Sequence, residues 1–251
     1  MATPSSPAGE FAPNAAVYDA GYYDRMYRPH WFLRNARKYR DREEALLRLV
    51  RPHPAMRLLE LGSARGDTAF FFAPRVGRVV GVDAAAAAVE KARELSMERG
   101  VSNVRFELAD ARDLSLFPRG SFDAVLMADF VEHVTDDVLV SALLESLRLL
   151  APGGALAIYT PNRDHWAERV KAAVPGLQQE DHIAVRPAAR VVESVARAGF
   201  ELDELFFSPS PYPVLGALDR IFGSRSICRF RTCLRTVVPG SGPVETEEEE
   251  E

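Results

Sequence analysis

The stretch Leu59-Glu60-Leu61-Gly62-Ser63-Ala64-Arg65-Gly66-Asp67 decides how this chain is read. An apolar run ends in a turn whose glycines let the backbone bend sharply and approach a ligand that a side chain would push away. A nucleoside-triphosphate loop needs a Lys-Ser/Thr pair after its last glycine, and Asp67-Thr68 stands there instead. A dinucleotide fingerprint needs G-x-G-x-x-G with a pyrophosphate on the helix N-terminus. Here the spacing is Gly62-x-Ala64-x-Gly66, and Glu60 and Asp67 flank the turn. Carboxylates around a pyrophosphate repel it.

Outward from this turn, short apolar runs alternate with helical patterns. Strands are predicted over residues 56–61, 78–82, 104–108, 122–127, 155–159 and 200–207. Helices are predicted over 31–50, 67–73, 84–99, 136–150 and 187–198, stopped by Pro52 and Pro54, Pro74, Gly100, Pro152-Gly153-Gly154 and Gly199 in turn. Residues 227–238 alternate in character, which predicts a last, antiparallel strand. The expected fold class is α/β, a doubly wound, mostly parallel seven-stranded sheet, Rossmann-like, with helices on both faces. Ligands of that architecture bind at the carboxyl ends of the strands.

Acidic residues collect there. Strand two ends Gly81-Val82-Asp83, and strand three ends Leu108-Ala109-Asp110-Ala111. Asp83 is placed to accept hydrogen bonds from two ribose hydroxyls, and Asp110 with the Ala111 N–H to meet an adenine edge. Each acid has an alternative reading as a helix cap, Asp83 before Ala84 above all. Three acids closing successive strands around one glycine turn favour a ligand with an ammonium, a sulfonium and ribose hydroxyls, which describes S-adenosylmethionine.

The chain here resembles the class I methyltransferases, especially the methyltransferase-11-like and ubiquinone-biosynthesis-like group. The matching features are Glu60-x-Gly62-x-Ala64-x-Gly66, Gly81-Val82-Asp83, Ala109-Asp110, Phe122-Asp123-Ala124-Val125 with Glu132-His133-Val134, and Leu150-Ala151-Pro152-Gly153-Gly154 leading to Thr160-Pro161-Asn162. The resemblance implies a cofactor set of Glu60, Gly62, Ser63, Ala64, Gly66, Asp83, Ala84, Asp110, Ala111 and Ala128, with Glu60 and Gly62 at the methionine end. It also implies S-adenosylmethionine-dependent methyl transfer to an O, N or C atom of a small-molecule acceptor, phenolic or lipophilic among the options. Ala64 departs from the pattern, replacing the middle glycine of the motif. The rivals are a non-catalytic S-adenosylmethionine-binding protein and a nicotinamide-dependent oxidoreductase.

For the acceptor side, His133 is the candidate catalytic base; the alternative is that Glu132-His133 only fixes its loop. Asp129, Glu132, His133 and a later histidine, His182, resemble divalent-metal sets of some methyltransferases, but no metal is assigned. His165 and Trp166 either touch substrate or finish a loop. The aromatic stretch over residues 18–32 forms either a lid or a helix packed on the sheet.

The remaining expectations concern organisation and partners. The chain of 251 residues carries a net charge of −5, yet Glu245 and residues 247–251 supply six glutamates, leaving 30 acids against 31 lysines and arginines. A neutral body argues against nucleic acid as a partner. The expected organisation is a leader over 1–16, a helical and aromatic cap over 17–54, the cofactor-binding domain over 55–238 and an acidic tail over 239–251. Two cysteines, Cys228 and Cys233, and no signal-peptide pattern fit a cytoplasmic protein. Residues 215–235, with five arginines among apolar side chains, are an alternative peripheral membrane patch. Sequence leaves the oligomeric state open.

Overall fold

The computed structural model describes residues 36–174, 181–208 and 230–239. The leader, the aromatic stretch over 18–32, the acidic tail and residues 215–229 of the membrane-patch alternative lie outside the described residues. The order is α1 (Ala36–Val50), β1 (Arg57–Leu61), α2 (Asp67–Phe72), β2 (Arg78–Asp83), α3 (Ala86–Glu98), β3 (Val104–Leu108), β4 (Phe122–Ala128), α4 (Asp136–Leu149), β5 (Leu150–Pro161), α5 (Trp166–Ala173), α6 (Ala188–Arg197), β6 (Glu201–Ser208) and β7 (Arg231–Val237). Short 3₁₀ turns at Ala73–Arg75 and Val131–His133 complete it.

The seven strands form one sheet in the order β3-β2-β1-β4-β5-β7-β6. Strands β1 to β5 pair in parallel, and β7 runs antiparallel between β5 and β6. This is the doubly wound sheet expected, and the order reverses beside β1, the strand that carries the glycine turn. Parallel strands covered on both faces read as near-continuous apolar runs, which is how Leu58, Leu59 and Leu61 all come to be buried. Side chains alternate between two cores. Leu58, Leu126 and Phe106 pack with Leu46 and Leu49 of α1, Phe72 of α2 and Val89 of α3. Leu59, Leu61 and Val125 pack on the other face with Leu139 and Leu143 of α4 and Val191 and Val195 of α6.

That alternation places Glu60 on the α1 side of the sheet, the same face as Leu58. It also settles β7. Leu234 enters the α4 core and Cys233 the α1 core, so both faces of the strand are buried. Phe230 to Leu234 are each under 9% exposed, which removes the C-terminal part of the membrane-patch alternative from any surface. Among the described residues no helix is long and apolar enough to cross a membrane.

Candidate functional site

The glycine turn is built by hydrogen bonds to neighbouring strands. The N–H groups of Gly62 and Ser63 both donate to the Val82 carbonyl, at 2.9 and 3.0 Å, and Gly66 N–H donates to Ser63 at 2.8 Å. Gly62 and Gly66 sit at φ +72° and +88°, the left-handed region that glycine reaches without strain. A Cβ on Gly66 would lie 2.3 Å from the Phe106 ring, so the missing side chain also lets the turn settle on β3.

Ala64 sits at φ +46°, left-handed as well. For an L-residue that conformation costs about 1–2 kcal/mol, while a glycine there returns about 0.5–1 kcal/mol as unfolded-chain entropy. Ala64→Gly is therefore expected to stabilise the protein by on the order of 0.5–1 kcal/mol. Thermal denaturation should read this as a rise of about 1–4 °C; a fall in Tm would contradict the strain.

Asp83 joins two turns. Its carboxylate accepts from Ala64 N–H at 2.8 Å and from Ala85 N–H at 2.9 Å. The N-cap of α3 is Ala85, with no side-chain cap bond, and Asp83 holds the backbone just before it. Burial pushes the Asp83 carboxyl up, against the opposing pull of those N–H groups and of the nearby His133.

Glu60 is 2% exposed, and burial pushes its carboxyl up to about 8, against the pull of Arg42 and a hydrogen bond from Thr68. Its Oε2 and the Ser63 hydroxyl are buried without a hydrogen-bond partner among the described residues. Unpaired buried acceptors are costly in a finished interior and are expected where a ligand completes the site. Asp110 is also buried, and its carboxylate takes a backbone N–H and a two-pronged guanidinium contact from Arg112. Glu60, Asp83 and Asp110 thus stand at the carboxyl ends of β1, β2 and β3 as expected.

Sequence reading missed two arginines. Arg42, half-buried on α1, donates to Asp129 Oδ2 at 2.8 Å and to the Thr68 hydroxyl at 2.9 Å. Arg231 donates to Asp129 Oδ1 at 2.7 Å and lies 3.6 Å from Glu132 Oε1. Because β7 runs antiparallel, its first residue, Arg231, lies opposite Pro161 at the site end of the sheet. Asp129 holds φ +54° to reach both guanidinium groups. A signal for Arg42 existed: it falls four residues before Leu46, on the apolar stripe of α1.

On the acceptor side, His133 Nδ1 is 2.9 Å from the Asp181 carbonyl and 3.7 Å from Asp181 Oδ2. A carbonyl only accepts, so Nδ1 carries a proton. The His182 ring stands edge-on to His133 at 5.0 Å, and burial, with His133 beside it, pulls its pKa down to about 4. Glu132 takes the Thr160 hydroxyl on Oε2 at 2.9 Å, while its Oε1 has no hydrogen-bond partner among the described residues. Burial, then Asp129, push the Glu132 carboxyl up. Single ligand atoms of Glu132, His133 and His182 lie within 4.8 Å of one another, a donor set that a divalent ion takes. Asp129 is outside that set, turned to its two arginines. His165 is wholly buried and caps α5 by accepting from Ala167 N–H at 3.2 Å, so it finishes a loop.

Residues 58–154 match a family model described as a methyltransferase domain. The chain is 32% identical over 144 residues to the uncharacterised methyltransferase YcgJ of Bacillus subtilis, covering 54% of each protein. It is 35% identical over 159 residues to nocamycin O-methyltransferase of Saccharothrix syringae, covering 59% of this chain and 56% of that protein. These matches span about half the length of the relatives. The crystal structure of B. subtilis YcgJ superposes with a TM-score of 0.57 at 19% identity, covering 79% of this chain and 96% of that one, a likeness of fold.

Proposed function

We propose, for a chain whose residues 58–154 match a methyltransferase-domain family model, that it transfers a methyl group from S-adenosylmethionine to an O, N or C atom of a small-molecule acceptor. The observation that carries this is the buried Glu60 Oε2 beside the glycine turn, unpartnered among the described residues, with Asp83 and Asp110 closing the next two strands. Glu60 would take the ammonium, Asp83 the ribose hydroxyls, and Asp110 with the Ala111 N–H the adenine edge. Gly62, Ser63, Ala64, Gly66, Ala84 and Ala128 would line the path between them. Arg42 would meet the methionine carboxylate, exchanging part of its hold on Asp129.

The bound sulfonium supplies an activated methyl group. What the protein adds is alignment of the acceptor and, for a hydroxyl acceptor, removal of its proton. His133 suits that task because its Nδ1 proton is committed to Asp181. A hydroxyl acceptor fits the O-methyltransferase among the relatives. A second reading is favoured by the Glu132, His133 and His182 donor set, which could hold a divalent cation near the acceptor. Arg231, 3.6 Å from Glu132, opposes it.

Calorimetry is expected to show S-adenosylmethionine and S-adenosylhomocysteine binding with Kd on the order of micromolar, and NAD not at all. Equal affinity for NAD would overturn the assignment. A screen of acceptors with labelled cofactor, starting from phenolic and quinol-type lipids, then tests turnover; no transfer to any acceptor favours a binding protein. With a hydroxyl acceptor, His133→Gln should lower kcat by roughly 100-fold or more and leave cofactor affinity unchanged. Loss of turnover in EDTA, restored by Mg²⁺, would favour the cation reading.

A further inference from the structure

Arg186 sits just before α6, 5% exposed, and the base reading gives it no role. Its guanidinium uses all five of its N–H donors. Nε and Nη2 both donate to Asp136 Oδ1, at 2.9 and 2.7 Å. Nη2 also donates to the Val134 carbonyl at 2.9 Å, and Nη1 to the carbonyls of Val131 and of Ala184, the latter at 3.0 Å. Val131 and Val134 bracket Glu132-His133, and Ala184 follows His182 by two residues. The Ala184 N–H returns to the Glu132 carbonyl at 3.0 Å, and the Arg186 carbonyl takes Arg163 N–H at 3.1 Å. One side chain therefore binds the turn after β4 to residues 181–187, and its backbone ties both to the loop after β5.

We propose that Arg186 is a positioning residue, locking residues 181–187 onto the turn Val131–His133 so that the Asp181 carbonyl holds the Nδ1 proton of His133. The inference rests on the reading of His133 as the base. Its physical content is separate: the His133 tautomer is set by a carbonyl on another segment, and the guanidinium fixes where that carbonyl lies. Lysine cannot substitute, since an ammonium offers three donors from a single point rather than a planar fork of five. The ring alone does not choose, because a neutral imidazole carries its proton on either nitrogen.

The test is spectroscopic and needs no acceptor. Full-length protein labelled with ¹⁵N is recorded in EDTA at about pH 8.5, where imidazoles are neutral unless strongly perturbed, with the ring signals of His133 assigned by their loss in His133→Gln. In the parent protein His133 is expected to show a protonated Nδ1 and an unprotonated Nε2. In Arg186→Lys those two nitrogen signals should move toward each other, as the tautomers mix, while S-adenosylmethionine affinity stays within threefold. Asp136→Asn changes an exposed partner and keeps the arginine; it should shift the same signals the same way, by less, and decides the matter should Arg186→Lys fail to fold. An unchanged His133 tautomer in the folded variants overturns the proposal, whatever happens to turnover. Normal turnover in His133→Gln would instead strike the base reading and leave the positioning result standing.

Discussion

Asp83→Ala is expected to weaken S-adenosylmethionine binding by at least about 100-fold. The side chain does two jobs at once. Its carboxylate accepts the Ala64 and Ala85 N–H groups, which hold the glycine turn against the turn after β2. The Ala84 N–H bonds the carboxylate as well, and the proposed ribose hydroxyls would share what acceptor capacity remains. Hydrogen bonds to a charged group are worth about 1.5–3 kcal/mol each. Losing two to ligand and loosening two in the turn amounts to about 3 kcal/mol or more, and each 1.4 kcal/mol is tenfold in Kd. Asp83→Asn keeps one acceptor oxygen and should lose only about tenfold. Calorimetry on both variants, with circular dichroism to confirm the fold, measures the difference. Affinity within threefold of the parent in Asp83→Ala would remove Asp83 from the site and, with it, the reason for preferring an adenosyl ligand.

Most of the sheet was legible because the relevant signals are local. Strands β1, β2 and β4 are largely apolar runs and β3 alternates, and Pro74, Gly100 and Gly199 stop helices within a residue or two of where they end. That the three acids share one edge of the sheet was legible for a related reason: in a parallel sheet the strand ends lie together, so position along the sequence gives position in space. What could not be read came from long-range pairing. Arg231 reaches Asp129 across 102 residues because β7 inserts antiparallel between β5 and β6. Arg186 reaches Val131 across 55 residues through a buried contact that leaves no periodic trace. The expected grouping of Asp129 with Glu132 and His133 followed their spacing, but the left-handed backbone at Asp129 turns its side chain to Arg42 and Arg231. Ala64 was read only as a departure from a motif; its positive φ shows why the motif has glycine there.

Glu60→Gln should separate stability from binding, raising one as it lowers the other. The Glu60 carboxyl is moved from 4.5 to about 8, chiefly by burial, with Arg42 and Thr68 opposing. An acid raised in the folded state binds its proton in the native protein while the unfolded chain has already lost it. Stability must then fall as pH rises from 4.5 to about 8 and stay level above that. The full penalty is on the order of 3–5 kcal/mol at 1.36 kcal/mol per pKa unit. Glutamine matches the neutral acid in shape and carries no such cost. Thermal denaturation should therefore show parent and variant nearly equal at pH 4.5, diverging up to about pH 8, with the variant the more stable. Binding should go the other way. An ammonium ligand favours ionised Glu60, so uptake of S-adenosylmethionine below pH 8 must release a proton, and affinity should climb by up to about tenfold per pH unit toward pH 8. Above about pH 8 it should fall again as the ligand's own α-amino group is lost as a cation. Glu60→Gln should lose the rising limb and bind roughly 10- to 100-fold more weakly at pH 8. Calorimetry in buffers of different ionisation enthalpy reads the proton release directly. No buffer dependence, together with equal stability of the two proteins at pH 9, would mean that Glu60 is not a buried neutral acid waiting for a cation.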